Sequence, residues 1–310
     1  MVSAKTSSTP SQPHGSVVKI TDGIGVVEIV PDAGGSVASY RWDTVSGAID
    51  WLRPASREAV SLRDVGCMGC FPLVPYSNRV ENSRFSFGGQ DVVLPGTPPT
   101  DPHFEHGHGW RNAWTVAEHR PDRVVLHYRH AAGSWPWAYE AEQAFSLSRG
   151  ALSIRLSMRN LSASPMPMGF GLHPYFPATQ LTRITADVAG MWETDAEVLP
   201  TRLVPVPASA NPVAGLVPAQ VPLDTVFTGW SGSARIEWPE RGSSLVMSAE
   251  RPLSFLTLYT PPGEPYFCAE PVSNITNAFH LTHGPDDTGL IILAPGAKIA
   301  ARVQFAPTIG

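Results

Sequence analysis

Three histidines lie close together in the segment DPHFEHGHGW, which covers residues 101–110. They are His103, His106 and His108, and a glycine follows each of the last two. Imidazole can give or take a proton near neutral pH, and glycine lets the backbone approach a ligand closely. The spacing therefore predicts a functional loop at the end of a strand, and an ordinary surface loop with solvated imidazoles is the alternative.

A metal site is a second interpretation of the same histidines. Three imidazoles and a distant carboxylate would supply the nitrogen and oxygen ligands of zinc or iron, as in a cupin-like oxygenase or isomerase. The cupin pattern has a glutamate a few residues after its His-x-His pair, whereas His108 is followed by GWRNAW. We therefore expect neither a metal ion nor a cofactor.

Two further titratable residues interrupt apolar segments. His173 lies in MGFGLHPYFP, and Glu270 lies in YFCAEPV. A lone histidine among apolar neighbours is more often a satisfied core residue than an acid catalyst. A buried carboxylate is costly unless it is paired, so a structural ion pair is the alternative for Glu270. The flanking sequence of Glu270 contains no cation, which makes it a candidate site residue.

The cysteines predict no redox or metal chemistry. Cys67 and Cys70 form a CxxC motif, but the sequence contains only one other cysteine, Cys268, and no second CxxC or CxxH. A zinc site would need two more ligands, and a redox site is expected beside a βαβ pattern that is missing here. We expect reduced thiols.

The elements that must position these residues are strands. Apolar and polar residues alternate in RVVLHYRH, ALSIRLSMRN and SFLTLYT, and 27 glycines and 31 prolines punctuate the chain. A period of two is typical of half-buried strands, and without helices for crossovers the strands must be antiparallel. The sequence predicts an all-β fold, a large antiparallel β-sandwich with few short helices.

Composition excludes several partners and suggests one folded unit. The net charge is −5 without a basic run, which argues against nucleic acid, and no apolar stretch is long enough to span a membrane. Residues 1–16 are expected to be a disordered tail without a secretory signal, and residues 17–310 a single sandwich domain. Pro200–Pro222 is expected to be a long loop across the sandwich. We expect a cytoplasmic monomer or homodimer.

Six motifs together resemble those of the aldose 1-epimerase (galactose mutarotase-like) family. They follow the family's order from about Val26 to Val303, and they read FPLVPYSNR, HGHGW, GLHPYF, LDTVFTGW, AEPVSN and GLIILAPG. The resemblance implies the galactose mutarotase-like supersandwich. His173 is followed by PYFP and Glu270 by PVSNITN, so the chain is more similar to the broader bacterial epimerase-like branch than to the galactose enzymes.

The resemblance also implies roles for three catalytic residues. By motif position, Glu270 would be the general base, His173 the general acid, and His106 an assisting histidine at the sugar. At ordinary pKa values of roughly 4.3 and 6.5, the carboxylate would be charged and the imidazole partly protonated near neutral pH. The family's reaction needs no cofactor.

Four more residues would bind the substrate by the same resemblance. Asn78, Arg79 and Asp224 would hold sugar hydroxyls, and Tyr175 would contribute to the same site. The partner is a small-molecule sugar. The implied reaction interconverts the α and β anomers of a free aldohexose. Alternatives are a non-catalytic sugar-binding or regulatory protein, an epimerase of a phosphorylated or otherwise acidic hexose, and a glycoside-cleaving enzyme or lyase on a similar sandwich.

Overall fold

Strands make up most of the fold. The computed structural model describes residues 17–95, 102–281 and 288–310, and the predicted tail at 1–16 lies outside them. Within the described residues the strands are β1 (Val18–Thr21), β2 (Gly25–Val30), β3 (Ser36–Thr44), β4 (Gly47–Asp50), β5 (Cys70–Leu73), β6 (Arg79–Val80), β7 (Arg84–Phe87), β8 (Gln90–Val93), β9 (Phe104–Glu105), β10 (Thr115–Arg120), β11 (Arg123–His130), β12 (Tyr139–Ser148), β13 (Ala151–Asn160), β14 (Met166–Met168), β15 (Gly171–Pro177), β16 (Arg183–Ala186), β17 (Gly190–Thr194), β18 (Pro200–Pro205), β19 (Leu223–Thr228), β20 (Ser233–Trp238), β21 (Ser243–Ala249), β22 (Phe255–Thr260), β23 (Tyr266–Val272), β24 (Ile291–Leu293) and β25 (Lys298–Ile309).

Helices are few and short. The described residues contain one α-helix, α1 (Arg57–Leu62), which begins after Ser56, whose side chain accepts a hydrogen bond from the backbone N–H of Ala59. The 3₁₀ turns are Val65–Cys67, Glu81–Ser83, Gly109–Arg111, Ala208–Ala210, Pro212–Ala214, Pro218–Gln220 and Pro239–Arg241. Among these helices none has the length and apolar character needed to cross a membrane.

Two antiparallel sheets form the body of the molecule. The larger sheet has eleven strands in the order β1-β2-β3-β5-β15-β23-β22-β19-β17-β18, with β4 paired to β3. The smaller sheet has eight, in the order β10-β11-β12-β13-β25-β21-β20-β16. Three two-stranded ladders join β14 with β24, β6 with β9, and β7 with β8. The predicted all-β antiparallel sandwich with few helices is confirmed.

The hydrophobic core lies between the two sheets. The Tyr40 hydroxyl, on β3, donates a 2.6 Å hydrogen bond to the carbonyl of Gly150, between β12 and β13. Phe176 of β15 packs against Phe305 of β25, with ring centroids 6.2 Å apart. Buried aromatic rings of this kind remove large apolar areas from water, so they fix the sheets face to face.

The proline-rich segment is only partly the loop that the sequence predicted. Pro200–Pro205 forms β18, which pairs with β17 at the edge of the larger sheet. Three 3₁₀ turns follow between Ala208 and Gln220. Proline has no backbone N–H to donate, but it is tolerated on an edge strand. The high proline content therefore predicted a loop where the chain forms an edge strand.

The middle of the larger sheet presents one face to the core and the other away from it. On β15, Leu172 and Phe176 belong to the core between the sheets, whereas Tyr175 belongs to a second apolar cluster on the opposite side. Side chains alternate along a strand, so His173 lies on the same side as Tyr175. On β23 the same rule places Glu270 with Cys268, away from the core.

Candidate active site

A cavity of about 270 Å³ opens on this outer face of the larger sheet. Its volume is slightly below the range of roughly 300–1,000 Å³ that is usual for ligand sites. All seven residues that the sequence predicted for catalysis and substrate binding line it. The complete lining comprises Gly66, Phe71, Asn78, Arg79, Glu105, His106, Trp110, His173, Tyr175, Asp224, Tyr259 and Glu270.

His173 and Glu270 form the buried pair of this cavity. His173 Nε2 lies 3.4 Å from Glu270 Oε1, and both side chains are less than a tenth exposed. They come from the neighbouring strands β15 and β23, which pair antiparallel. The cross-strand geometry therefore joins two residues that are far apart in the sequence.

Burial changes the protonation that ordinary pKa values imply. Desolvation raises the pKa of Glu270 well above its usual value, and the nearby carboxylates of Asp224 and Glu105 raise it further. Desolvation lowers the pKa of His173 well below its usual value, followed by the effects of His106 and Arg53. Both shifts favour the uncharged forms. Burial of this pair therefore favours a protonated Glu270 beside a neutral imidazole over the charged base and acid that unperturbed values imply.

His106 is held as a hydrogen-bond donor. Its Nδ1 accepts a 3.0 Å hydrogen bond from the backbone N–H of Asn78, so the proton of the neutral ring is on Nε2. Burial, then the charges of Arg79 and Arg111, lower its pKa to about 3. His106 therefore stays neutral at physiological pH and presents an N–H group, with Nε2 3.7 Å from a carboxylate oxygen of Glu105.

Arg79 and Asp224 form a polar pair at the side of the cavity. Arg79 Nη1 lies 3.5 Å from Asp224 Oδ2, and both side chains are about a quarter exposed (21% and 28%). Asn78 stands in the left-handed region, with φ 65°, and its side-chain oxygen accepts a 2.8 Å hydrogen bond from the backbone N–H of Arg79. A guanidinium and a carboxylate side by side can donate to and accept from neighbouring hydroxyls.

Glu105 is a lining residue that the sequence reasoning missed. It pairs with Arg79 in the short ladder of β6 and β9, so the two side chains leave the backbone at facing positions. The side chain of Glu105 is 26% exposed. A strand of two residues is too short to show alternation in the sequence, so the position of Glu105 could not be predicted. The histidines on either side of it were the only residues of this segment that the sequence singled out.

Aromatic rings build the wall around the pair. Phe71 stacks on Trp110 with centroids 5.0 Å apart, and its ring lies 4.5 Å from the imidazole of His173. Tyr175 covers the imidazole with centroids 4.8 Å apart and an interplanar angle of 14°. These rings restrict His173 to one orientation.

The three histidines of the loop do not converge. His103 accepts at Nδ1 from the backbone N–H of Asn82 and lies 3.3 Å from a carboxylate oxygen of Glu197. His108 Nε2 lies 3.0 Å from the hydroxyl of Tyr139, away from the cavity lining. Across the described ranges, no group of three His, Cys, Asp or Glu side chains is arranged to hold a metal ion.

The CxxC residues have separate environments. Cys67 is exposed, Cys70 is buried on β5, and both are free thiols. Burial raises the pKa of the Cys70 thiol, while a hydrogen bond with Asp64 is the main cause that raises the pKa of Cys67. Raised thiol pKa values work against thiolate chemistry at either residue.

A segment after β23 fastens the loop that carries Asn78 and Arg79. The side chain of Asn274 accepts from the backbone N–H of Ser77 and donates to its carbonyl, both at 3.1 Å. The backbone N–H of Asn277 donates a 2.9 Å hydrogen bond to the carbonyl of Arg79. The positions of Asn78 and Arg79 are thus fixed by the same segment that follows Glu270.

A second cavity, of about 340 Å³, lies on the outer face of the smaller sheet. Its side chains are engaged in pairs across the strands, such as Arg159 with Glu140 at 3.2 Å and His127 with Glu142 at 3.1 Å. These charges are about a third to a half exposed, so the arrangement is typical of a solvated sheet face. The cavity on the larger sheet is the one with buried acid–base groups.

Similarity to known proteins extends over nearly the whole chain. The family model for aldose 1-epimerase matches residues 16–306. The uncharacterized protein YphB of Escherichia coli (strain K12) is 34% identical over 289 residues, 89% of this chain and 93% of YphB. The structure of a candidate aldose 1-epimerase from Escherichia coli K12 has a TM-score of 0.84 at 29% identity, covering 95% of this chain and 99% of that one. A galactose mutarotase-like protein from Clostridium acetobutylicum shares the fold, with a TM-score of 0.85, 20% identity, and coverage of 94% and 95%.

Proposed function

Since this chain belongs to the aldose 1-epimerase family, we propose that it interconverts the α and β anomers of a free aldohexose by acid–base ring opening and closure. The observation that carries the proposal is the pair His173 and Glu270, 3.4 Å apart in one cavity. Ring opening removes the proton from the anomeric hydroxyl and adds one to the ring oxygen. A proton acceptor and a proton donor at one site meet that need.

Besides the N–H that a neutral imidazole always carries, the pair holds one transferable proton, and the reaction returns it. In opening, Glu270 as carboxylate takes the proton of O1 while protonated His173 gives its own to the ring oxygen. Rotation about C1–C2 turns the aldehyde, and closure on the other face reverses both transfers. In the resting arrangement the transferable proton is on Glu270, and in the reactive one it is on His173. A sugar hydroxyl that is hydrogen-bonded to both side chains can relay the proton between them.

The other polar groups orient the sugar. His106 Nε2–H donates to a hydroxyl, and Arg79 and Asp224 hold hydroxyls that do not react. Holding the open chain in place keeps the aldehyde within reach of the pair, which is a gain in orientation. Tyr175 and Phe71 supply flat apolar surface beside the pair.

The charges of the cavity favour a neutral sugar over an acidic one. The carboxyl groups of Glu105, Asp224 and Glu270 line it together with a single arginine, Arg79. A phosphate or carboxylate on the substrate would meet these acidic groups and find one guanidinium, which is already beside Asp224. A free aldohexose is therefore the favoured substrate class. A cytoplasmic location and a monomer or homodimer remain our predictions.

The test is polarimetry or NMR on freshly dissolved α-anomers of several hexoses and of hexose 6-phosphates. We expect catalysis with at least one neutral hexose, and a loss of about 10²- to 10⁴-fold in kcat for Glu270→Gln and for His173→Ala. The matched control is Glu142→Gln, outside this cavity, which should keep its activity. Unchanged rates in both site variants would refute the assignment. Binding of sugar without acceleration by the wild-type protein would favour the non-catalytic alternative, and faster turnover of the phosphates would favour the acidic-hexose alternative.

A further inference from the structure

Arg53 stands at one end of a stacked column that contains the catalytic imidazole. The column consists of Arg53, Tyr175, His173 and Phe71. The guanidinium carbon of Arg53 lies 3.8 Å from the ring centroid of Tyr175, and the centroids of Tyr175 and His173 are 4.8 Å apart. Phe71 covers the other side of the imidazole, at 4.5 Å. A cation thus lies behind the ring that stacks on His173.

The guanidinium is held in that position by backbone groups. Its Nη2 donates to the carbonyl oxygens of Gly66 and Met68, at 2.6 and 2.7 Å. The backbone N–H of Arg53 donates to the carbonyl of Tyr175 at 2.8 Å. In the described part of the chain, no carboxylate lies within ion-pair distance of Arg53. Its positive charge is therefore not neutralised by a direct acidic neighbour.

Arg53 is not among the residues that line the cavity, so contact with the sugar does not explain its position. We propose that Arg53 is a positioning residue for the acid–base pair, holding the Tyr175 ring flat against His173 and placing a fixed positive charge behind the imidazole. The catalytic consequence rests on the proposed mutarotase function, whereas the effect on His173 does not.

The physical effect concerns the proton that His173 carries during ring opening. Protonated His173 would be a second cation on the ring of Tyr175, whose opposite face is already occupied by a guanidinium. Arg53 therefore makes protonated His173 a stronger acid, which favours delivery of its proton to the ring oxygen. In line with this, the charge of Arg53 is one of the causes that lower the pKa of His173, after burial and His106.

Other charged or titratable groups also surround His173 and bear on its protonation. Glu270 on β23 opposes Arg53 because a carboxylate stabilises the imidazolium. The remaining groups come from the strands and loops packed around the site, namely Glu105, His106, Arg79, Asp224, Cys70, Cys268 and Tyr175. A substitution at Arg53 leaves all of these side chains in the sequence; its charge also acts on Tyr175 and Cys268, whose pKa values burial raises far above neutral pH.

The experiment measures the pH dependence of kcat and kcat/KM for anomerisation in three variants. Arg53→Gln keeps amide donors for the loop carbonyls and loses the charge, while Arg53→Lys keeps the charge and loses the flat stacking group. Arg111→Gln is the matched control, because Arg111 stacks on Trp110 at 4.3 Å and is not among the groups that shift His173.

For Arg53→Gln we expect the limb of the bell-shaped profile that is set by His173 to move to higher pH by about half a unit, with KM within about twofold. For Arg53→Lys we expect an unmoved profile and a kcat lower by about three- to tenfold, because the ring is held less firmly. Arg111→Gln should leave the profile in place. A profile that does not move in Arg53→Gln would overturn the proposal, even if activity falls.

A second measurement keeps the inference testable without turnover. The ring of His173 can be followed by NMR in histidine-labelled protein, with its resonance assigned by its loss in His173→Gln. We expect its titration to move to higher pH in Arg53→Gln, and not in Arg111→Gln. If the wild-type protein shows no anomerisation, the proposed function fails, yet this titration still decides the role of Arg53. An unmoved His173 titration would overturn it.

Discussion

At the scale of single residues, the two cavity histidines differ in what their ring nitrogens can do. His106 receives a backbone N–H at Nδ1, so its chemistry is limited to donation from Nε2. His173 has Nε2 beside Glu270, and its buried Nδ1 finds no hydrogen-bond partner in the described residues. An unpaired ring nitrogen leaves the imidazole free to change its protonation without first losing a fixed hydrogen bond. The acid role therefore suits His173, and the binding role suits His106.

Substitution of His106 should weaken binding of the transition state without removing either limb of the pH profile. His106→Gln keeps an amide N–H donor near Nε2, and we expect a loss of less than about tenfold in kcat/KM, whereas His106→Ala should lose about 10- to 100-fold. Because burial holds the pKa of His106 at about 3, neither variant should remove a limb between pH 5 and 9. The check is the rate of anomerisation, measured by polarimetry between pH 5 and 9. Disappearance of one limb of the pH profile in His106→Gln would contradict the donor role.

Glu270 should reduce stability as the pH rises. Its pKa is raised in the folded protein, so the stability that it contributes is present in full below its unfolded pKa, near 4.5, and is lost as the pH rises through the folded value. Glu270→Gln does not titrate. We therefore expect its Tm to exceed that of the wild type by about 2 °C or more above pH 7, with a difference that shrinks toward pH 5.

Calorimetry at pH 5, 7 and 9 measures this difference. The control is Glu58→Gln in the exposed first turn of α1, which should show no such trend. A Tm advantage of Glu270→Gln that grows toward low pH would contradict the assigned direction of the shift.

At the scale of elements, the loop after β9 depends on glycine for its close packing. Gly107 has φ +64°, and a Cβ there would lie 2.4 Å from Pro75 Cδ and 2.5 Å from the carbonyl oxygen of Val74. Gly109 is as crowded, since a Cβ would lie 2.1 Å from Val74 Cγ2. The glycines that follow His106 and His108 thus allow close contact with Val74 and Pro75, whereas the sequence reasoning had assigned them to contact with a ligand.

Alanine at Gly107 should displace His106. We expect Gly107→Ala to lose about 2 to 4 kcal/mol of unfolding free energy, from overpacking and left-handed strain, and to lower kcat/KM by more than tenfold. Gly89 also has a positive φ, of 79°, but an added Cβ meets nothing within 4 Å, so Gly89→Ala isolates the strain at about 1 kcal/mol. Urea unfolding and kinetics on both variants distinguish these costs. Equal destabilisation with full activity would contradict the packing argument.

The strand pattern and seven of the cavity residues could be predicted from the sequence, whereas the contacts and charges around them could not. Alternation in ALSIRLSMRN predicted β13, and the motif resemblance predicted that His173 and Glu270 share a pocket. The two-residue strands β6 and β9, which bring Glu105 opposite Arg79, carry no periodic signal. The partnership of Arg53 with Tyr175 depends on a tertiary contact between distant segments. The pKa directions also escaped prediction, because they arise from burial and from charges on other strands.

At the scale of the whole molecule, the segment after β23 connects the late and early parts of the chain at the cavity. Asn274 is 1% exposed, and its amide makes three hydrogen bonds, two of them to the backbone of Ser77 and one to the carbonyl of Ile275. Asn277 adds bonds between its side chain and Glu81. The position of Arg79 thus depends on residues near the other end of the sequence.

Removing the Asn274 amide should destabilise the protein and weaken sugar binding together. Asn274→Ala leaves the backbone N–H and carbonyl of Ser77 buried without partners, which costs about 2 to 4 kcal/mol. We expect a lower Tm and a KM several-fold higher, because the loop carrying Arg79 loses its support. Asn211→Ala, which removes a hydrogen bond at the start of a distant 3₁₀ turn, should cost about 1 kcal/mol or less and leave KM unchanged. Thermal unfolding and NMR kinetics compare the two, and an unchanged KM in Asn274→Ala would contradict the coupling.

The proposed catalytic pair lies on β15 and β23, which have paired strands on both sides in the middle of the larger sheet. Backbone in such a position opens only when most of the fold opens, so these walls are stiff on the timescale of turnover. The reaction itself demands a swing of the aldehyde through about half a turn. Because the cavity walls are rigid, this rotation must take place within the sugar. Tight binding of C1 and C2 would therefore slow the reaction. Fast turnover requires that the protein bind the carbons far from the reacting centre and leave the aldehyde end free to rotate.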